Sequence, residues 1–119
     1  MAHLDLKPDN IVVTATGHLN IIDYGGSAVA FKLEWIKIKG FRGTEGWVSP
    51  ELAENPDAEY RPIPADLWSA RRVLEYFADH QDEHTSRSIK SLAVRLLNRN
   101  PQERPSLSTI LNDPILESN

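Results

Sequence analysis

Cysteine is absent from the 119 residues. That removes disulfides and thiolate metal sites, and it fits a reducing compartment. Basic residues are in the minority, 13 against 17 acidic, for a formal charge of −4. A general binder of nucleic acid or anionic membrane needs a basic face, so neither partner is expected. No apolar run approaches the roughly 20 residues of a membrane span, and the N-terminus lacks the charged-then-apolar pattern of a signal peptide. There are no repeats and no low-complexity stretch. The expectation is an intracellular, cytoplasmic protein, with the nucleus left open.

What is present suits one domain. Apolar residues make up 40% and charged residues 25%, ordinary for a globular chain. A chain of this length buries roughly 65% of its unfolded surface, enough for one modest core. The branched runs Ile11 to Val13 and Leu19 to Ile22 flank Thr14-Ala15-Thr16-Gly17, whose residues supply turn chemistry, and predict a small hairpin. Asp23 to Gly46 is rich in Gly and polar residues and reads as a long loop, with a strand-like piece at Trp35 to Ile38. Loops of this length inside compact domains tend to be functional.

The second half is helical. Ser49-Pro50-Glu51-Leu52 has a helix start: Ser as N-cap, Pro at the first position, an acid in the first turn. Asn55 to Pro64 carries three prolines and reads as irregular. Ala65 to Ala78 places Leu67, Trp68, Val73, Leu74, Tyr76 and Phe77 on nearly all sides, the pattern of a buried central helix. Ser88 to Asn98 shows one stripe of Ile89, Leu92, Ala93, Leu96 and Leu97. Ser106 is placed to cap a last helix that buries Leu107, Ile110 and Leu111.

The chemistry lies in HLDLKPDN, His3 to Asn10. Asp5 and Lys7 are two residues apart, so in an extended loop both can face one reaction space. There a carboxylate accepts a proton while an ammonium steadies developing negative charge. Asn10 and Asp23 add hard oxygen ligands of the kind Mg²⁺ prefers. The competing interpretation is a loop whose Asp and Asn satisfy turn hydrogen bonds.

Five motifs in order decide between them. HLDLKPDN resembles the catalytic loop of protein kinases, usually His-Arg-Asp-Leu-Lys-Pro-x-Asn. IIDYGG, Ile21 to Gly26, resembles the Asp-Phe-Gly metal-binding motif, 18 residues from Asp5 to Asp23. GTEGWVSPE, Gly43 to Glu51, resembles Gly-Thr-x-x-Tyr-x-Ala-Pro-Glu. DLWSARRVL, Asp66 to Leu74, resembles the helix beginning Asp-x-Trp-Ser-x-Gly. NPQERPS, Asn100 to Ser106, resembles the late Pro-x-x-x-Arg-Pro-Ser turn. The lysine of Asp-Leu-Lys-Pro leans toward the serine/threonine type.

The resemblance implies an α+β fold, mostly α: a partial kinase C-lobe over 1–119, with a small β-hairpin, a long activation-type loop and a helical bundle around a central helix. It implies Mg²⁺ and ATP as cofactors. By that resemblance Asp5 is the base toward the substrate hydroxyl, Lys7 contacts the γ-phosphate, and Thr44 bridges the two. Asn10 and Asp23 hold Mg²⁺ against the phosphates, and Val12 lies under the adenine. His3 and Tyr24 pack behind the metal site, Asp66 bonds the catalytic-loop backbone, and Glu51 pairs with Arg104.

Departures from the family pattern carry expectations of their own. Leu4 stands where many kinases have an arginine that reads an activation-loop phosphate, so control by that phosphate is not expected. Arg71 replaces a glycine of the central helix. The interval from Ala78 to Ser86 is too short for the extra helix that many kinases use to dock substrates. The family places a glycine-rich loop, a strand lysine and a helix glutamate before the catalytic loop. Only Met1 and Ala2 precede His3 here, so the expectation is a partial domain without its small lobe, inactive in isolation, with a protein substrate or partner covering the exposed face. Two alternatives stand beside a phosphotransfer function: a non-catalytic kinase-like (pseudokinase) binding module, and a truncated gene product.

Overall fold

The computed structural model describes residues 1–26, 37–95 and 98–114. It is mostly helical with one small antiparallel sheet, the α+β partial C-lobe that the sequence implies. Strands β1 (Ile11–Val13) and β2 (Leu19–Ile21) pair in the register Ile11 to Ile21, Val12 to Asn20 and Val13 to Leu19. The turn is closed by Thr14 O, which accepts from Gly17 N at 2.9 Å, and Gly17 adopts φ 79°. A left-handed residue at that point costs glycine nothing. Ile22 lies just past β2, and its N–H donates to Asn10 O at 2.9 Å.

A single 3-10 turn follows at Tyr24–Gly26. Trp35 and Ile36 lie outside the described residues. Ile38 forms an antiparallel bridge to Tyr60, each N–H donating to the other's carbonyl at 2.8 and 2.9 Å. Among the described residues four α-helices follow: α1 (Pro50–Glu54), α2 (Pro62–Ala78), α3 (Glu83–Arg95) and α4 (Leu107–Leu111), with a 3-10 turn at Pro101–Glu103.

Several expectations need correction. The proline-rich stretch is not irregular to Pro64, because α2 begins at Pro62. Prolines in a first helical turn lack only N–H groups that have no partner there anyway. Ser49 occupies the N-cap position of α1 with extended φ/ψ, but its hydroxyl makes no capping bond. Helix α3 starts at Glu83, several residues earlier than its apolar stripe, because Asp82 accepts from Thr85 N at 3.0 Å and Thr85 Oγ1 at 2.8 Å. Ser106 does cap α4, accepting from Thr109 N at 3.1 Å. That short helix nevertheless leaves Leu107 and Leu111 exposed. Leu96, Leu97 and the Leu92 side chain lie outside what is described.

Helix α2 is central but not enveloped. Leu67, Ser69, Val73 and Ala78 are buried, whereas Tyr76 is exposed and Trp68, Leu74 and Phe77 are half-buried. Its far half packs on α3, where Ala93 is buried. The main buried cluster lies at its other end: Ala2, Leu4, Leu52, Tyr60 and Ala65, with Ile38, Val48 and Ile63 against it. This cluster joins the first residues of the chain to α1 and the start of α2, so the His3–Asn10 loop rests on the core. Among the described residues no helix is long and apolar enough to cross a membrane.

Candidate functional site

Asp66, in the first turns of α2, fixes the loop from below. Its Oδ2 accepts from His3 N at 2.6 Å and its Oδ1 from Leu4 N at 2.7 Å. Two adjacent N–H groups are thereby satisfied by one carboxylate, a charge-assisted arrangement stronger than neutral bonds. Burial pushes the Asp66 carboxyl above its ordinary range, and the N–H groups of Leu4 and His3 oppose that shift. Leu4 is held at φ 66°, a left-handed conformation disfavoured by about 1–2 kcal/mol for a residue with a Cβ. Its buried side chain and its bond to Asp66 hold it there.

Beyond this kink Asp5 turns to face the segment that follows the long loop. Thr44 Oγ1 donates to Asp5 Oδ1 at 2.6 Å, and Lys7 Nζ donates to Thr44 Oγ1 at 2.8 Å. Lys7 Nζ lies 3.8 Å from Asp5 Oδ2. Asn10 Nδ2 donates to Asp5 O at 2.8 Å and to Asp5 Oδ2 at 3.2 Å. The structure thus brings Asp5, Lys7, Asn10 and Thr44 into one cluster. A carboxylate offers about four lone-pair sites, so Asp5 retains acceptor capacity after these bonds.

Gly43 makes the approach possible. It has φ 121°, and a Cβ built on it would collide with Val48 Cγ1 and lie 2.9 Å from Leu4 O. Only glycine lets Thr44 reach Asp5 across that contact. Ser69 of α2 anchors the same segment by donating to Trp47 O at 2.9 Å.

Asp23 directly follows Ile22, whose N–H donates to Asn10 O at 2.9 Å. It too has a positive φ, 61°. His3 ties the two parts together. Asp5 N donates to His3 Nδ1 at 3.2 Å, which leaves Nε2 as the N–H that donates to Ile22 O at 2.9 Å. Tyr24 packs edge-on against His3, with centroids 5.0 Å apart. Val12, on β1, is half-exposed and stands outside the buried cluster.

The donor set suits a hard cation. Asn10 uses its Nδ2 group toward Asp5, so the amide is oriented with Oδ1 available. The Asp23 carboxylate is a second oxygen donor of that type. Mg²⁺ is held by one or two such protein groups, with phosphate oxygens and water completing its octahedron.

Arg104 supports the site from the far side of α2. Nη1 and Nη2 reach Glu51 Oε1 and Oε2, both at 2.7 Å. The remaining N–H groups go to Pro64 O at 2.6 Å, Asn98 O at 2.8 Å and Arg99 O at 3.3 Å. All five guanidinium donors are therefore used, and the side chain is fully buried. Its Cζ lies 5.3 Å from the Trp68 ring centroid, and Arg71 lies at 4.9 Å from the same ring. The two cations beside Trp68 were not foreseen, because Arg71 departs from the glycine of the motif. Gly43 lies within GTEGWVSPE, but its steric role depends on Leu4, which lies 39 residues away in sequence.

Comparisons with known proteins identify the family. Residues 1–75, more than half of the chain, match the family described as Protein kinase domain. The chain is similar to CBL-interacting protein kinase 31 of Oryza sativa subsp. japonica, 31% identical, covering 94% of this chain and 30% of that protein. It is also similar to Mitogen-activated protein kinase kinase kinase 1 of Arabidopsis thaliana, 28% identical, covering 96% of this chain and 22% of that protein. Serine/threonine-protein kinase ppk34 of Schizosaccharomyces pombe is 26% identical, covering 96% of this chain and 38% of that protein. The chain thus spans well under half the length of these relatives.

Proposed function

This chain belongs to the protein kinase domain family, and on that premise we propose that its residues carry out phosphate transfer from Mg·ATP to a serine or threonine hydroxyl of a protein substrate, within a complete kinase domain. The observation that carries this is the Thr44 hydroxyl, bonded at once to Asp5 and Lys7.

In this function Asp5 is the general base: it orients the acceptor hydroxyl and takes its proton. Thr44 fixes the rotamer of Asp5 and holds the Lys7 ammonium alongside it. Lys7 places positive charge where negative charge develops on the transferred group. Asn10 offers Oδ1, and Asp23 its carboxylate, to Mg²⁺. When bound, Mg²⁺ neutralises charge on the phosphates and orients them. Val12 gives an apolar floor for the adenine. His3 and Tyr24 keep the Asp23 backbone in register with the loop, and Asp66 holds that loop at Leu4.

The hairpin has a second consequence. Val12, Val13, Leu19, Ile21 and Ile22 are all more than a third exposed. Apolar surface left in water costs about 25 cal/mol per Å². We assign this face to contact with the nucleotide-covering lobe of a complete kinase, and expect the 119 residues alone to lack turnover. Transfer of labelled phosphate from Mg·ATP to a protein acceptor, lost in Asp5→Asn, tests the function.

A further inference from the structure

Ser49 is 1% exposed, and its hydroxyl has no hydrogen-bond partner among the described residues. The position is the N-cap of α1, yet the side chain takes no part in capping. Leu52 N and Ala53 N donate instead to Ser49 O, at 3.1 and 3.0 Å. A buried hydroxyl without a partner forfeits the bond it has to water in the unfolded chain, and such groups are rare in folded proteins.

Ser49 lines a cavity of about 10 Å³. Three other polar residues, Arg42, Asp66 and Ser69, share its wall. That volume is about what one water molecule needs, and it is too small for an organic ligand. The polar wall sets it apart from the apolar voids that stay dry. The Arg42 charge on the wall disfavours a metal cation.

Hydrogen-bonding capacity balances at the same place. Asp66 accepts one N–H on each oxygen, from His3 and Leu4, and a carboxylate has about four lone-pair sites. Ser69 spends its proton on Trp47 O at 2.9 Å, and more weakly on Ala65 O at 3.4 Å, so its lone pairs remain to accept. Ser49 has a proton to give. We infer that this cavity is a structural water site: one water accepts from Ser49 Oγ and donates to the Asp66 carboxylate and to Ser69 Oγ. The water then makes roughly three hydrogen bonds, the usual number for a buried one. Asp66 holds the loop that carries Asp5, and Ser69 holds the segment that carries Thr44. The water ties both supports to the start of α1. This inference stands apart from the phosphotransfer function and does not depend on it.

The test pairs a crystal structure of a complete kinase domain carrying this chain, at a resolution that shows ordered water, with urea denaturation of Ser49→Ala. The wild type should show one water within about 3.2 Å of Ser49 Oγ and of an Asp66 carboxylate oxygen. Ser49→Ala deletes one of the water's bonds and should lower the folding equilibrium constant roughly 2- to 10-fold. Because the Ser49 side chain makes no capping bond, that loss reads the cavity and not the cap. In a dry cavity the sign reverses: alanine removes a hydroxyl that has no partner, and stability is unchanged or raised. No water density at this place, or a Ser49→Ala domain at least as stable as the wild type, overturns the inference.

Discussion

Thr44 and Asp5, 39 residues apart in sequence, are joined by a 2.6 Å hydrogen bond, and the same hydroxyl accepts from Lys7 at 2.8 Å. One side chain thus sets the spacing between a carboxylate and an ammonium, and Gly43 supplies the close backbone approach that permits it. Thr44→Val keeps the shape and deletes both bonds. In a complete kinase domain it should lower kcat roughly 10- to 100-fold, on the scale of two lost net hydrogen bonds. Thr44→Ser, which keeps the hydroxyl, should retain most of the rate. Steady-state kinetics on a protein acceptor distinguishes them.

Arg104→Ala should be far more damaging to the fold than to any local chemistry. It strands the Glu51 carboxylate and leaves the carbonyls of Pro64, Asn98 and Arg99 without this donor. Breaking a buried pair from one side costs about 3–5 kcal/mol. Arg104→Lys should recover little, because three rotatable donors cannot reproduce a planar fork. Urea denaturation midpoints measure both, and a midpoint unchanged in Arg104→Ala would contradict the assignment.

Gly43→Ala should be destabilising despite the small change. The added methyl meets Val48 and the Leu4 carbonyl, and alanine is strained at φ 121°. Overpacking of this kind costs about 1–3 kcal/mol. Because Leu4 precedes Asp5, activity should fall as well, and thermal melting read beside kinetics detects both.

Two carboxylates should respond oppositely to pH. Asp66 is raised above 3.8, chiefly by burial. Its contribution to stability is present below 3.8 and is lost as pH rises through its folded midpoint. Asp82 is lowered below 3.8, chiefly by the Thr85 backbone bond. Its contribution is present above 3.8 and is lost as pH falls through its folded midpoint. Carboxyl ¹³C titration should place the Asp66 midpoint above, and the Asp82 midpoint below, that of an aspartate in a short peptide.

Much of this arrangement was legible from the sequence, and the reasons for what was not are physical. The motifs around Asp5, Thr44, Asp66 and Arg104 named residues that the structure joins by hydrogen bonds, because their chemistry restricts residue type at fixed spacing. Local capping was less legible. Ser49 has N-cap dihedrals and no capping bond, whereas Asp82 caps α3 ahead of any apolar signal. Prolines 62 and 64 suggested a break but sit in a first turn, where the missing N–H groups do no harm. Apolar periodicity overstated burial in α4, where Leu107 and Leu111 both stay exposed. The Ile38–Tyr60 bridge and the Leu4–Gly43 contact are long-range, and no local pattern encodes them.

The central claim is that Asp5 is the base of a phosphotransfer site. The direct test joins this chain to a kinase nucleotide-binding lobe and measures transfer of ³³P from Mg·ATP to a serine/threonine protein acceptor. Wild type and Asp5→Asn are compared at equal folded concentration. The account predicts measurable transfer by the wild type and a loss of about 10²- to 10⁴-fold in Asp5→Asn, the range for removing a positioned base. Transfer that survives Asp5→Asn undiminished would contradict it.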